Sequence, residues 1–219
     1  QGNNERPVTR LAVLPVAAKA SVEQGLEAAL ESALAHWLYH DEIWLRGNAK
    51  AKAEILLAIA RVRHALVLFG GIVPRKATTH LRALLNDADA VLLAADTADE
   101  ALFRSEVGGA NLALTEWVVL RGWGPFLNEA GEKKIAGSFK RFADIHLSRV
   151  AAELRSAVQH LAVEDAADQL PKLSRDIDSV QLLAGAYGDA VAPWLENWQE
   201  LQRAIEHDAR SVFEYFRRQ

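Results

Sequence analysis

The segment "ARVRHALVLFGGIVPRKATTHLRALLN", residues 60–86, carries both the helix pattern and the charge pattern from which the fold is inferred. Its apolar residues recur at helical spacing on either side of Gly70, Gly71 and Pro74, which predicts two helices joined by a short turn. A short connection makes consecutive helices antiparallel neighbours. The segment contains five Arg or Lys residues and two His residues but no Asp or Glu, although the formal net charge of the chain is -4.

The composition is that of an ordered, mainly helical globular protein. Half of the 219 residues are hydrophobic and a quarter are charged, while Gly (13) and Pro (6) are few. The chain has no cysteine, which excludes disulfides and thiolate metal sites and indicates a reducing, cytoplasmic compartment. No uninterrupted apolar stretch reaches the about 18 residues of a transmembrane helix. The negative net charge argues against a nucleic-acid partner.

Capping residues and helix breakers set the predicted boundaries. Ser21 and Gln24 form a capping box, Gly47 ends that first helix, and Asn48 caps the second. The next capping box is Thr97 with Glu100. The predicted helices cover residues 21–46, 48–69, 74–95, 97 to the sequence GWGPF with a kink or break at Gly108–Gly109, 138–161, 164–184 with a bend or split at Pro171, and 189 onward.

These helices predict an all-α fold of two antiparallel bundles, with about four helices each, packed side by side. The bundle halves are predicted at residues 16–127 and 137–219, separated by a polar loop over residues 128–137. Residues 1–15 begin with the polar sequence QGNNERP. We interpret them as a linker from a preceding domain.

The acid-free segment predicts an anion site. On a helix, Arg63 falls in the apolar stripe of Leu56, Ala60 and Val67, so its guanidinium needs a carboxylate, a carbonyl or an anion. Basic side chains on the next helix can converge with it across the turn, and such groups at a helix start suit phosphate. The candidates are Arg61, Arg63, His64, Arg75, Lys76, His80 and Arg82. The alternative is a solvated, positively charged corner with Arg63 satisfied internally.

A second basic cluster lies in "GEKKIAGSFKRFADIHLSRVAAELR", residues 131–155. His146 and Arg149 lie one turn apart on one face of a helix. Asp144 and Glu153 intervene, so a mixed-charge amphipathic helix is the alternative interpretation. The candidate phosphate-binding residues here are Lys140, Arg141, His146 and Arg149.

No group of residues predicts an enzyme. His36 and His40 have the i, i+4 spacing of a metal pair, but Trp37 replaces the general-base Glu of zinc proteases, which favours a packed aromatic helix. Asp176 and Asp178 lie two apart and cannot share a helix face. Neither a nucleophile elbow nor a Walker loop occurs. We therefore expect no catalytic residue, metal site or cofactor in this chain.

Four sequence blocks, in order, resemble the CHAD domain (conserved histidine α-helical domain) of bacterial CYTH–CHAD inorganic triphosphatases. The resemblance spans residues 16–198. The blocks are "VAAKASVEQGLEAALESALAHW", "VRHALVLFGGIVPRKATTHLRALL", "FKRFADIHLSRVAAEL" and "LPKLSRDIDSVQLLAG".

The resemblance implies two four-helix bundles and binding of inorganic polyphosphate on basic residues between them. In such two-domain proteins, the triphosphatase chemistry and its metals belong to the N-terminal CYTH barrel. The ExExK signature of that barrel does not occur in this chain. The resemblance thus implies a non-catalytic accessory domain whose partners are polyphosphate and its own CYTH domain, without nucleic acid or membrane.

The chain departs from the family pattern where polyphosphate would bind. That pattern sets a His and three bases along one stripe of the second helix, at +3, +7 and +10. The matching positions here are Ala53, Leu56, Ala60 and Arg63. In the second half, His146 and Arg149 fit a similar pattern, but Glu153 and Ser156 replace bases.

Each lost phosphate contact removes a charge-assisted bond of about 1.5–3 kcal/mol. We therefore expect this chain to bind polyphosphate more weakly than members with the full signature, or not at all. The alternative function is a structural or interaction domain. Its basic face would then dock on the CYTH domain or another acidic protein.

Overall fold

The computed structural model describes residues 6–12, 16–94, 99–159, 166–186 and 200, and the regular elements within them are helical. The predicted all-α class is therefore confirmed. The described part of the chain forms eight α-helices: α1 (Val22–Leu45), α2 (Lys50–Phe69), α3 (Thr79–Ala94), α4 (Glu100–Leu102), α5 (Gly109–Val119), α6 (Glu129–Ile135), α7 (Phe139–Gln159) and α8 (Ala166–Ala184). Across these residues, no helix is both long and apolar enough to cross a membrane.

Several helix ends lie where the sequence predicts them. Gly47 follows α1 with a φ of 92°, a left-handed conformation that glycine adopts without strain. The Asn48 side chain accepts a hydrogen bond of 3.1 Å from the Lys50 N–H at the start of α2. Gly70 caps the other end of α2, where its N–H donates to the Val67 carbonyl at 3.0 Å. These local signals fix the two ends of the helix that carries the candidate anion site.

The chain stays helical through Gly108 and Gly109, so the predicted break is absent there, and a π-helical segment, Phe103–Gly108, directly precedes α5. Asp99 caps α4 by accepting a hydrogen bond of 3.1 Å from the Leu102 N–H. The predicted cap at Thr97 lies outside the described residues. A π-helical turn leaves room for an extra residue, so α4 and α5 are joined without a loop.

The polar loop predicted over residues 128–137 is wrong, because α6 occupies Glu129–Ile135. The Asn128 side chain caps this helix by accepting a hydrogen bond of 2.8 Å from the Gly131 N–H. Lys133 pairs with Glu129 at 2.8 Å across one turn. Acidic residues in the first turn and lysines in the last turn both interact favourably with the helix macrodipole and so stabilise α6.

The predicted split at Pro171 is also wrong, since α8 continues through that position. Pro171 is the sixth residue of α8, so it removes one backbone hydrogen bond from the helix, and the helix continues despite this loss. The helix predicted from residue 189 onward falls almost wholly outside the described residues.

The chain divides into two compact units. Unit 1 contains Gln1–Ala12 and Glu23–Ala136, and unit 2 contains Val13–Val22 and Gly137–Gln219. In unit 2, the Val16 N–H donates to the Gly185 carbonyl at 2.8 Å, and the Phe139 N–H donates to the Ala20 carbonyl at 3.0 Å. These bonds hold the segment that precedes α1 against the helical pair α7 and α8.

Unit 1 forms around α2, whose side chains are buried along most of its length. Ile55, Ile59 and Val62 recur at helical spacing and are fully buried. Each such side chain contributes about 1.5–3 kcal/mol through burial. The core continues on neighbouring helices with Trp37 of α1, Leu85 of α3 and Leu114 of α5.

The turn after α5 is fixed by Glu23 at the start of α1. The Glu23 carboxylate accepts hydrogen bonds from the Trp123 indole N–H at 2.6 Å and from the Arg121 guanidinium. Arg121 itself adopts a φ of 51°. A Cβ on Gly122 would lie 2.1 Å from the Trp117 ring, so this position requires glycine. The anchored turn sets where α6 begins.

Asp41 is a buried carboxyl group on α1, with 5% of its surface exposed. In the described part of the chain, its Oδ1 atom has no hydrogen-bond partner. Burial, reinforced by the neighbouring Glu42, raises the pKa of Asp41 to about 8. The folded chain therefore keeps this proton at neutral pH, whereas the unfolded chain releases it at a pKa of about 3.9.

Replacing Asp41 by Asn should stabilise the protein increasingly as the pH rises. Between about pH 4 and about pH 8, the folded parent protein keeps a proton on Asp41 that the unfolded chain releases. The free energy of unfolding of the parent therefore falls as pH rises in this window, whereas Asn at this position has no proton to release. We expect the stability advantage of Asp41→Asn over the parent to grow by at least about 1 kcal/mol from pH 5 to pH 8. Urea unfolding at a series of pH values measures it. The exposed control Asp87→Asn should follow the parent, and parallel profiles for parent and Asp41→Asn would contradict the prediction.

Candidate functional site

The exposed bases of the acid-free segment gather at the turn between α2 and α3. Arg75 and Lys76 are exposed on a 3-10 turn, Arg75–Ala77, and His80 and Arg82 follow in the first turn of α3. We call Arg75, Lys76, His80 and Arg82 the turn cluster. In the described part of the chain, none of the four pairs with a carboxylate.

The Arg75 carbonyl organises this turn. It accepts hydrogen bonds from the Thr79 hydroxyl at 3.0 Å and from the Thr78 N–H at 3.2 Å. The Arg82 guanidinium folds back and donates to the same carbonyl at 3.2 Å. Because its acceptor is neutral, Arg82 is held in place while it keeps its full positive charge.

Lys134 joins the turn cluster from α6. Its ammonium group donates to the Gly71 carbonyl at 2.8 Å. One turn earlier on α6, a Cβ on Gly131 would lie 2.6 Å from the Ile72 carbonyl oxygen, so glycine allows α6 to approach this closely. The sequence places Lys134 with the second basic cluster. A glycine inside a short capped helix was the signal that this helix packs tightly.

Arg63 does not belong to this exposed surface. Its guanidinium donates to Asp89 at 2.6 Å and to Asn86 at 3.1 Å, both on α3. The partner that the sequence requires for Arg63 is thus a carboxylate, and the pair ties α2 to α3. Arg61 and His64 are buried, with 4% and 8% of their surfaces exposed. A polyanion in solution has little access to these two side chains.

The second basic cluster lies in unit 2, on α7. Lys140, Arg141 and Arg149 are exposed, and His146 is half-buried with its ring centroid 4.3 Å from that of Phe142. Burial, and then the charge of Arg149, lower the pKa of His146. His146 is therefore a poorer cation than the pattern implies.

Acidic groups weaken the α7 cluster further. Burial, followed by Glu153, raises the pKa of Asp176 on α8, and Arg149 acts in the opposite direction. Glu153 and Asp176 therefore lie close to the stripe that contains His146 and Arg149. A phosphate chain would meet negative charge here, in contrast to the turn cluster.

His36 and His40 fasten the N-terminal segment to unit 1. His40 Nδ1 donates to the His36 carbonyl at 2.7 Å, and Nε2 accepts a hydrogen bond of 3.1 Å from the Thr9 N–H. His36 Nε2 lies 2.8 Å from Glu54 Oε2, which also accepts from the Leu11 N–H at 3.2 Å. We call these contacts the histidine clasp. Both ring nitrogens of His40 are engaged, which fixes its neutral tautomer.

Together these features define an all-helical domain with a cationic turn and a histidine-fastened N-terminal segment. Residues 28–214 match the CHAD domain family, and the chain belongs to this family. Its fold is similar to that of the CHAD domain from the plant Ricinus communis, with a TM-score of 0.59. The two sequences are 16% identical, and the match covers 92% of this chain and 79% of the plant chain. At this identity the likeness concerns the fold alone.

Acid should open the histidine clasp. Burial lowers the pKa of His40, and the neighbouring groups that act on it are His36, Glu54 and the Thr9 backbone. The unfolded chain therefore takes up this proton first, at a pKa of about 6.5, and stability is lost as pH falls below that value. A proton on Nε2 also removes the acceptor of the Thr9 N–H.

Hydrogen exchange of the Thr9 and Leu11 amides, corrected for intrinsic rates, checks this prediction. In the parent, protection of Thr9 should fall as pH drops below about 6.5. In His40→Gln, protection should be lower at neutral pH and change less with pH. The exposed control His80→Gln should behave like the parent. Constant protection of Thr9 across this range would contradict the prediction.

Proposed function

We propose that this CHAD domain is a non-catalytic accessory domain that binds a phosphate polyanion, such as inorganic polyphosphate, weakly through the turn cluster and Lys134. The observation that carries the proposal is the absence of any carboxylate partner for the turn cluster in the described part of the chain. Exposed guanidinium and ammonium groups without a carboxylate partner suit phosphate oxygens.

The position of these bases on α3 supports the proposal. The first turn of α3 contains His80 and Arg82 but no acid. Cations at a helix N-terminus oppose the macrodipole and cost about 0.3–1 kcal/mol each, whereas an anion there is favourable. Folding stability therefore does not explain the bases, while a bound phosphate would be attracted by both the side chains and the helix end.

Weak binding follows from the changes on α2. Ala53, Leu56 and Ala60 carry no charge on the stripe where the family pattern has bases, and Arg63 is paired with Asp89. Each missing contact removes about 1.5–3 kcal/mol of charge-assisted bonding. Of the predicted phosphate-binding residues in unit 1, the turn cluster then remains accessible to a polyanion, with Lys134 beside it.

We further propose that the domain acts beside a CYTH triphosphatase domain in a cytoplasmic protein. The resemblance of four ordered sequence blocks to CYTH–CHAD proteins supports the pairing, and the lack of cysteine suits a reducing compartment. In this arrangement the helical domain would hold substrate near the catalytic domain. The chemistry itself would come from the CYTH barrel.

Docking of the turn cluster on an acidic protein, including the CYTH domain, is a second candidate function. The apolar residues at Ala53, Leu56 and Ala60 favour it, because they remove the contacts that a polyphosphate chain would need. The same cations would then pair with carboxylates of the partner. The two functions are distinguished by competition: polyphosphate displaces the acidic partner protein only if the turn cluster also binds polyphosphate.

A matched pair of double charge reversals tests the proposed function. Arg75→Glu/Lys76→Glu changes the turn cluster, while Arg46→Glu/Lys50→Glu makes the same charge change at the other end of the 20-residue α2, about 30 Å away. Binding of labelled long-chain polyphosphate should weaken about tenfold or more in the first variant at about 50 mM salt. The slope of log affinity against log salt concentration should become shallower by about two, because two cationic contacts are lost. The control should stay within about twofold of the parent.

Two results would count against the proposal. Absence of detectable binding at low ionic strength would end it, and so would an equal loss in both doubles, which would indicate a general charge effect. Measuring association with the isolated CYTH domain distinguishes the docking function from polyphosphate binding. If the turn-cluster double abolishes that association while polyphosphate does not compete, the docking function is favoured instead.

A further inference from the structure

An open apolar groove lies between α1 and α5 in unit 1. The two helices run antiparallel. Near the start of α1, the Glu23 carboxylate accepts a hydrogen bond from the Trp123 indole N–H, which lies beyond the end of α5. Further along α1, the Leu34 carbonyl accepts a hydrogen bond from the Asn111 side chain near the start of α5. The groove has a volume of about 230 Å³. It is lined by Glu31, Leu34 and Leu38 on α1 and by Asn111, Val118 and Val119 on α5.

Large aliphatic side chains stand exposed along this groove. Leu38 is 58% exposed, and Leu112 and Val119, two turns apart on α5, are 69% and 75% exposed. Such side chains on well-formed helices gain no stability from burial within the unit. A contiguous apolar surface of this kind marks an interaction site more often than a scatter of single exposed residues does.

The rim of the groove is acidic. Glu31 lines it, Glu27 lies one turn earlier on α1, and Glu116 lies beside Leu112 and Val119 on α5. In the described part of the chain, none of these three glutamates forms an ion pair. Burial, followed by the charges of Glu31 and Glu23, raises the pKa of Glu27, and Arg121 acts in the opposite direction.

Two arginines that flank α5 are already engaged. Arg121 is held by Glu23. At the other end of α1, Arg104 is shared between Glu42 at 3.1 Å and Glu100 at 2.9 Å. The groove is therefore apolar along its floor and negative along its edges.

We propose that this groove docks an amphipathic helix of a partner protein whose apolar face contacts Leu38 and Val119 and whose Lys or Arg residues pair with Glu27, Glu31 and Glu116. Helix-in-groove recognition needs an apolar strip and flanking charges of the opposite sign, and both are present. A second copy of this chain is a poorer occupant. Self-pairing of this face would bring two acidic rims together, which is unfavourable.

A model peptide tests the proposal. The probe is a labelled peptide of about 18 residues, or five helical turns, with Leu on one face and Lys on the other. Two peptides serve as controls, one with Glu in place of Lys and one with the same composition in scrambled order. Anisotropy titration at about 50 mM salt should show binding of the first peptide only.

Paired variants of the full chain locate the binding. Leu38→Ser/Val119→Ser and Glu27→Gln/Glu31→Gln should each weaken binding about tenfold. The matched controls are Leu93→Ser/Ile145→Ser, whose residues are 69% and 63% exposed elsewhere, and Asp87→Asn/Asp144→Asn. The controls should stay within about twofold of the parent. Circular dichroism checks the fold of each variant, and Leu38→Ala/Val119→Ala replaces the serine double if that double loses helix.

Three results would overturn the proposal. The first is the absence of peptide binding at low salt. The second is an equal loss of peptide affinity in the groove variants and the control variants. The third is a dimer in sedimentation experiments that Leu38→Ser/Val119→Ser dissociates, because a second copy of the chain would then be the occupant. The groove is distinct from the turn cluster, so polyphosphate binding should be unchanged in the groove variants. The peptide assay therefore tests the groove, and the polyphosphate assay tests the turn cluster, so that either proposal can fail without the other.

Discussion

The burial of α2 is the constraint on which unit 1 depends. Ile55, Ile59, Val62 and Phe69 are fully buried along this helix, and even Arg61 is almost inaccessible. A helix enclosed to this extent can keep a cation on its flank only if that cation finds a partner, because an unpaired buried charge is costly. The partly exposed Arg63 is tied to Asp89, and the exposed bases of the acid-free segment lie beyond the end of the helix, where the backbone turns into solvent.

The turn cluster shows how a sequence can hold positive charge without neutralising it. Arg82 is positioned by the neutral Arg75 carbonyl, and Lys134 by the Gly71 carbonyl. A carboxylate partner would hold these side chains equally well but would cancel their charge. Fixing cations on carbonyl groups lowers the conformational entropy that a bound anion must remove, since the side chains are already ordered.

Local signals in the sequence predicted much of the fold, and contacts between distant residues account for most of what was missed. The ends of α1 and α2 follow from Gly47, Asn48 and Gly70. The α6 helix could have been predicted too, because Asn128 and the Glu129–Lys133 spacing are helix signals. In contrast, the pairing of Arg63 with Asp89 depends on how two helices align side by side, and no local pattern encodes that register. The same holds for Lys134, whose partner Gly71 lies in the turn between α2 and α3.

The two proposed surfaces of unit 1 have opposite charge, and this explains how an acidic chain can attract a polyanion. The formal net charge of -4 would repel polyphosphate at long range if it were spread evenly. At physiological ionic strength, however, exposed charges are screened over about 8 Å. A polyanion at the turn cluster therefore responds chiefly to the charges within that distance, such as those of Arg75 and Lys76. By the same reasoning, a basic helix in the α1–α5 groove responds to Glu27 and Glu31, so the two ligands need not compete.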